Sequence, residues 1–163
     1  MTRVPETAVG ENVYERTMGH RPEILEEWFK LDALMRFSGT LEPSLKEEVR
    51  RVLATGVGCT YCSSLGQADA KNRDTKTALA VAFAEALWAQ SHDLRGVDDA
   101  VFAVLAEEFS AEQIVELTCW VLFMFAAQGF GAVMKLPAAT DQELEGYLEW
   151  RREGESAAAA ASV

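Results

Sequence analysis

The hydrophobic positions of this chain recur at helical spacing almost from end to end. In "RPEILEEWFKLDALMRF", Ile24, Trp28, Leu31 and Met35 fall on one face, and Pro22 suits a first turn. A second helix is predicted from Pro43, with Leu45, Val49, Val52 and Leu53 as its apolar stripe, ended by Gly56 and Gly58. A third, short helix is predicted to start at or just after Cys59. The stretches "TKTALAVAFAEALWAQS" after Asp74 and "DDAVFAVLAEEF" from Asp98 predict two more. Ser110 and Gln113 have the spacing of a capping box, opening a long apolar helix that Leu136-Pro137 closes. Thr140 and Glu143 repeat the pattern for a last helix through Trp150.

No segment sustains an alternation of period two, so strands are not expected. The fold class is therefore all-α, a compact domain of about six or seven helices. Residues 20–153 are assigned to this single domain and residues 1–19 to an N-terminal extension. Residues 154–163 form a tail whose "SAAAAASV" has nothing to bury and is expected to fray.

Charge narrows the choice of partner. The 26 acidic residues against 15 basic ones give a formal charge of -11, which repels a phosphate backbone. No basic stripe with interleaved aromatics offsets this, so nucleic acid is excluded as a partner. The N-terminus lacks the apolar core of a signal peptide, and three cysteines in 163 residues are far from a secreted disulfide framework. A reducing cytoplasm is the expected setting. The 18-residue run "LTCWVLFMFAAQGFGAVM", 117–134, carries no charge and reaches the lower edge of membrane-spanning length. Gln128, Gly129 and Gly131 dilute its far end and no basic flank sets an orientation. It reads as a helix buried on all sides, in part by another subunit, and not as a membrane span.

Candidate chemistry centres on Cys59 and Cys62. Zinc needs four ligands, and the remaining inventory of Cys119, His20 and His92 supplies them only singly. Packing is a second reading, although the glycines before the pair and "SS" after it suggest a turn into a helix start. There the free N–H groups favour a thiolate, and spacing of i, i+3 lets the two sulfurs meet. A redox dithiol is the reading these features favour. Cys119, within the apolar helix, is expected to be a buried free thiol. His20 and His92 are expected to be caps or surface groups, and nothing in the sequence brings either ring to Cys62.

The stretch "LKEEVRRVLATGVGCTYCSSLG" resembles the core motif of the alkylhydroperoxidase D-like, or carboxymuconolactone decarboxylase, family. That motif has a glutamate, twelve residues to a Gly-Cys-x-x-Cys, and often a histidine four residues beyond the pair. Here Glu47 stands twelve residues before Cys59, and Tyr61 is a common residue within the pair. The resemblance continues through "VDDAVFAVLAEEFSAEQIVELTCWVLFMFAAQGF" and covers roughly residues 20 to 137.

The resemblance implies a thiol-dependent peroxidase acting on a small-molecule hydroperoxide and re-reduced by a dithiol electron donor. Cys62 would be peroxidatic, Cys59 resolving, and Glu47 part of a proton relay, with no cofactor and no metal. It also implies a homo-oligomer, whose interface is expected to include part of residues 117–134. The family's histidine position is Gly66, one turn after Cys62, so the relay lacks its imidazole. Glu48 lies nearer the apolar stripe than Glu47, and one of the two is expected to be a solvated helix charge. Two other functions stand beside this one. The lactone decarboxylase branch of the family generally lacks the cysteine pair, and a non-catalytic oligomer binding an apolar small molecule would leave the pair a relic.

Overall fold

A computed structural model describes residues 1–161. Among them are eight α-helices and one 3-10 turn, with no strands. The helices are α1 (Val13–Met18), α2 (Pro22–Phe37), α3 (Pro43–Val57), α4 (Thr60–Ser64), α5 (Thr75–Ala89), α6 (Asp99–Glu108), α7 (Ala111–Val133) and α8 (Asp141–Ala161). The all-α expectation holds. The starts follow local chemistry: proline opens α2 and α3, while the side chains of Asp74, Asp98 and Ser110 cap α5, α6 and α7. Ser110 and Gln113 close the expected capping box.

Helix α3 is the central element, packed against α2, α4, α5 and α7. Its stripe of Leu45, Val49 and Leu53 is fully buried, with Val52 partly so. Two α7 side chains fasten the α3–α7 contact. Trp120 donates its indole N–H to the Lys46 carbonyl (2.9 Å), and Gln128 donates its amide to the Arg50 carbonyl (2.8 Å). Because α3 is enclosed on nearly every side, it also buries four charged residues, Lys46, Glu47, Glu48 and Arg50. Burial of this kind is tolerated only where each charge is partnered.

Several expectations change. The count rises to eight because residues 1–19 hold α1, which is part of the fold. Val13, Tyr14 and Met18 are buried in the same apolar cluster as Cys59, Tyr61 and Cys62. At the other end the helix predicted through Trp150 continues to Ala161, so the tail expected to fray is helical over 154–161, with Gly154 against the Phe37 ring; residues 162 and 163 of that tail lie outside the described residues. The α2 face is also rotated from the predicted one. Ile24 and Leu31 are exposed, whereas Leu25, Trp28, Phe29 and Met35 pack inward with Arg36. Burying Arg36 against Glu47 on α3 sets this rotation.

Within this single chain the long helix α7 is buried on only part of its circumference. Leu117, Trp120, Val121, Met124 and Gln128 face the interior. Val115, Cys119, Leu122, Ala126 and Val133 form an exposed stripe with steps of four, three, four and seven residues. Cys119 is thus an exposed free thiol, not a buried one. Among the described residues α7 is one helix long and apolar enough to cross a bilayer by length and composition, yet its inner face is bound to α3.

Candidate active site

Gly58 at the end of α3 adopts φ 78°, a left-handed conformation that costs glycine little and turns the chain toward α4. Cys59 follows in extended backbone as the N-cap of α4. Its sulfur takes the place a serine or aspartate oxygen would fill, accepting the Cys62 N–H at 3.1 Å. This geometry brings Cys59 Sγ and Cys62 Sγ together as a disulfide with a Cα–Cα distance of 5.2 Å. Helix α7 passes close behind. A Cβ on Gly131 would stand 2.5 Å from Cys59 Sγ and 3.4 Å from Cys62 Sγ, so only glycine admits the pair at this crossing.

The two cysteines differ in access. Cys59 is fully enclosed, at 0% exposure, whereas Cys62, at 7%, lines a cavity of about 480 Å³. The cavity lies between α1, α2, α4, α7 and α8, and Tyr14, Trp28, Tyr61, Met124 and Tyr147 form much of its wall. Burial pushes the hydroxyls of Tyr14, Tyr61 and Tyr147 toward the protonated form, so each enters the site as a neutral phenol.

Glu47 sits beneath the cavity, 2% exposed, at the centre of a cationic cluster. Arg50 grips it with two hydrogen bonds, Nε to Oε2 at 2.8 Å and Nη2 to Oε1 at 2.9 Å. Arg36 (3.1 Å), Arg51 (3.0 Å) and Arg151 (3.5 Å) complete the set, and Tyr147 donates its hydroxyl at 2.8 Å. Arg50 extends the chain by donating Nη1 to the Cys62 carbonyl at 2.8 Å. Glu47 is therefore coupled to Cys62 through Arg50 and the backbone, with no hydrogen bond to either sulfur among the described residues. Burial pushes the Glu47 carboxyl up, but Arg50, Arg36 and Arg151 outweigh it and hold it at about 2. A carboxylate so committed holds Arg50 and Tyr147 in place and accepts no proton near neutral pH.

The expectation that one glutamate would be a solvated charge does not hold. Glu48 is buried on the other side of α3, where it accepts the Asp69 N–H (2.7 Å) and Arg73 Nε (2.9 Å). Of the two glutamates, Glu47 is the one joined to Cys62, through Arg50 and the Cys62 carbonyl. Gly66 lies beyond the end of α4, with φ 146°, and a Cβ there would point at Arg51. It does not extend the helical face of Cys62, because α4 stops at Ser64. His20 bonds the Pro5 carbonyl through Nε2 (2.7 Å) and His92 is exposed in the turn after α5, so neither ring reaches the cavity.

Sequence reasoning missed Arg36, Arg50, Tyr147, Gln128 and Gly131. Arg50 carried a readable signal, being three residues after Glu47 on one helix. The others arrive from α2, α7 and α8 and had none. Among the described residues no three His, Cys, Asp or Glu side chains gather as a metal ion would require. Compared with family models, curated proteins and solved structures, the chain matches none.

Two outcomes follow from this geometry. Gly131→Ala should drive a methyl into Cys59 Sγ, costing about 1–3 kcal/mol as overpacking. A thermal melt and the accompanying loss of the 59–62 disulfide in peptide maps check it, and unchanged values would refute the close crossing. The second concerns acid. The Glu47 carboxyl is lowered from 4.5 to about 2 on folding, so its contribution is whole above pH 4.5 and is lost as pH falls toward 2. The loss should be of order 3 kcal/mol by the usual energy per pKa unit. Urea unfolding across that range should show this slope, and it should shrink in Glu47→Gln.

Proposed function

We propose that this protein is a dithiol peroxidase of the alkylhydroperoxidase D-like type, reducing small-molecule hydroperoxides through Cys62. The observation that carries the reading is the asymmetry of the pair. Cys62 opens onto a cavity able to hold a small molecule, while Cys59 is enclosed behind it at bonding distance.

In the reduced protein the Cys62 thiolate attacks the terminal oxygen of the hydroperoxide. The O–O bond breaks, the departing alkoxide takes a proton to leave as an alcohol, and Cys62 becomes a sulfenic acid. The Cys59 thiolate then attacks the Cys62 sulfur, the S–O bond breaks, and the disulfide forms as the departing hydroxide takes a proton to leave as water. Two electrons from an external dithiol donor restore the pair. Glu47 acts indirectly, by fixing Arg50 against the Cys62 carbonyl and Tyr147 at the cavity wall. Two features of the family pattern are altered: no imidazole stands near Cys62, and the glutamate is locked in ion pairs.

Stopped-flow consumption of a hydroperoxide with dithiothreitol as reductant tests this reading. Cys62→Ser should abolish turnover, and Cys59→Ser should permit one oxidation that stops at a sulfenic acid trapped by dimedone. Equal consumption by wild type and Cys62→Ser would refute it. Gly66→His should not restore a relay. Its φ of 146° strains any side chain, and the ring would meet Arg51.

We also propose a homo-oligomer in which the exposed α7 stripe meets a second copy of this chain. The alternating steps of four and three residues give a seam that can pack against itself. Light scattering should show more than one subunit for wild type and a monomer for Leu122→Glu. A monomeric wild type at micromolar concentration would end the idea.

A further inference from the structure

The cavity beside Cys62 has a composition that bears on what enters it. Six aromatic residues line it, Tyr14, Trp28, Phe29, Tyr61, Tyr147 and Trp150. Its volume of about 480 Å³ is that of a small-molecule site. The polar groups divide into two sets. Six carboxylates belong to the lining, Glu11, Glu15, Asp32, Glu143, Glu145 and Glu149, and the last two are exposed on consecutive turns of α8. The lining holds two cations, Arg36 and Arg50, both buried and already matched by Asp32 and Glu47. Arg16 from outside the lining pairs with Glu143 at 3.5 Å, which leaves Glu11, Glu15, Glu145 and Glu149 without an ion pair among the described residues. The field at the mouth is therefore negative, as is the net charge of -11.

The interior holds two buried polar atoms with no partner, Gln128 Oε1 and Arg36 Nε. Both residues line the cavity and are 2% and 4% exposed. The Gln128 amide is fixed in orientation because its Nε2 donates to the Arg50 carbonyl. Its oxygen is left as an acceptor needing a donor, and Arg36 Nε as a donor needing an acceptor. Leaving such groups unmet is costly, so a ligand that satisfies them is favoured over one that does not. A hydroxyl or hydroperoxyl group is donor and acceptor at once.

We infer that the cavity selects uncharged molecules with an apolar, ring-sized body and an –OH or –OOH group that donates to Gln128 Oε1, and that it rejects those bearing a carboxylate. The inference rests on the peroxidase reading only for the –OOH group. In that setting Gln128 is a positioning residue, holding the hydroperoxyl beside Cys62 for the attack described above. A carboxylate would have to pass the acidic mouth and lie among aromatic rings with no free cation to receive it.

Two measurements test this, one of turnover and one of binding. With dithiothreitol as reductant, kcat/KM should be at least tenfold higher for cumene hydroperoxide than for its 4-carboxylate derivative. The ratio should fall with added salt, which screens the mouth, and in Glu145→Gln/Glu149→Gln. Equal rates at low salt would overturn the inference. Binding is read from quenching of tryptophan fluorescence in Cys62→Ser, since Trp28 and Trp150 line the cavity. The alcohol 2-phenyl-2-propanol should quench saturably and its 4-carboxylate should not. Gln128→Leu should weaken the alcohol two- to tenfold, as the loss of one neutral hydrogen bond does, while leaving cumene, which has no hydroxyl, unchanged. Equal weakening of both would mean the cavity had merely been reshaped and would overturn the role of Gln128. If wild type consumes neither hydroperoxide yet Cys62→Ser binds the alcohol and not the carboxylate, the peroxidase reading fails and the selectivity of the cavity stands.

Discussion

The buried charge of Glu47 is the constraint around which this protein is arranged. A carboxylate at 2% exposure persists only if its partners repay the lost hydration, and here they come from three helices. Arg36 reaches it from α2, Arg50 and Arg51 from α3 itself, and Arg151 with Tyr147 from α8. Each cation then needs further satisfaction. Arg36 turns to Asp32 and lies over the rings of Trp120 and Trp150, and Arg50 turns to the Cys62 carbonyl. The ion cluster thus decides which face of α2 is buried, where α8 docks, and how α4 sits on α3.

The same cluster supplies the floor of the cavity. Arg36, Arg50 and Tyr147 belong both to the Glu47 set and to the lining, so the chemistry near Cys62 is fixed by the group that organises the helices. Removing the carboxylate would leave Arg50 beneath that floor without an ion-pair partner, while Arg36 would keep Asp32 and Arg151 would keep Glu155. Stability and site geometry are coupled there.

Much of the architecture was legible in the chain. Prolines and capping side chains marked the starts of α2, α3, α5, α6 and α7, and the spacing of Leu45, Val49 and Leu53 marked the buried face of α3. Glu47 and the two cysteines were legible because they lie on consecutive local elements. What could not be read was set by tertiary partners. The burial of Tyr14 depends on a cluster assembled from α1, α4 and α7, and the exposure of Ile24 and Leu31 depends on Arg36 being drawn inward. The enclosed face of α7 covers only part of its circumference, a property that a uniformly apolar sequence conceals. Gly131 looked like a diluted membrane span, yet its lack of a side chain is what lets Cys59 lie against the helix.

That crossing at Gly131 has a kinetic consequence. Behind Cys59 the pair is walled by the α7 main chain, which has no rotamer to swing aside, and Cys59 has no exposed surface of its own. A thiol that breaks the disulfide must therefore strike the Cys62 sulfur, with Cys59 as the leaving group, and must arrive through the cavity that Cys62 lines. Under the peroxidase reading proposed above, oxidant and reductant would share one door, so the two half-reactions would alternate and each reactant in excess would obstruct the other.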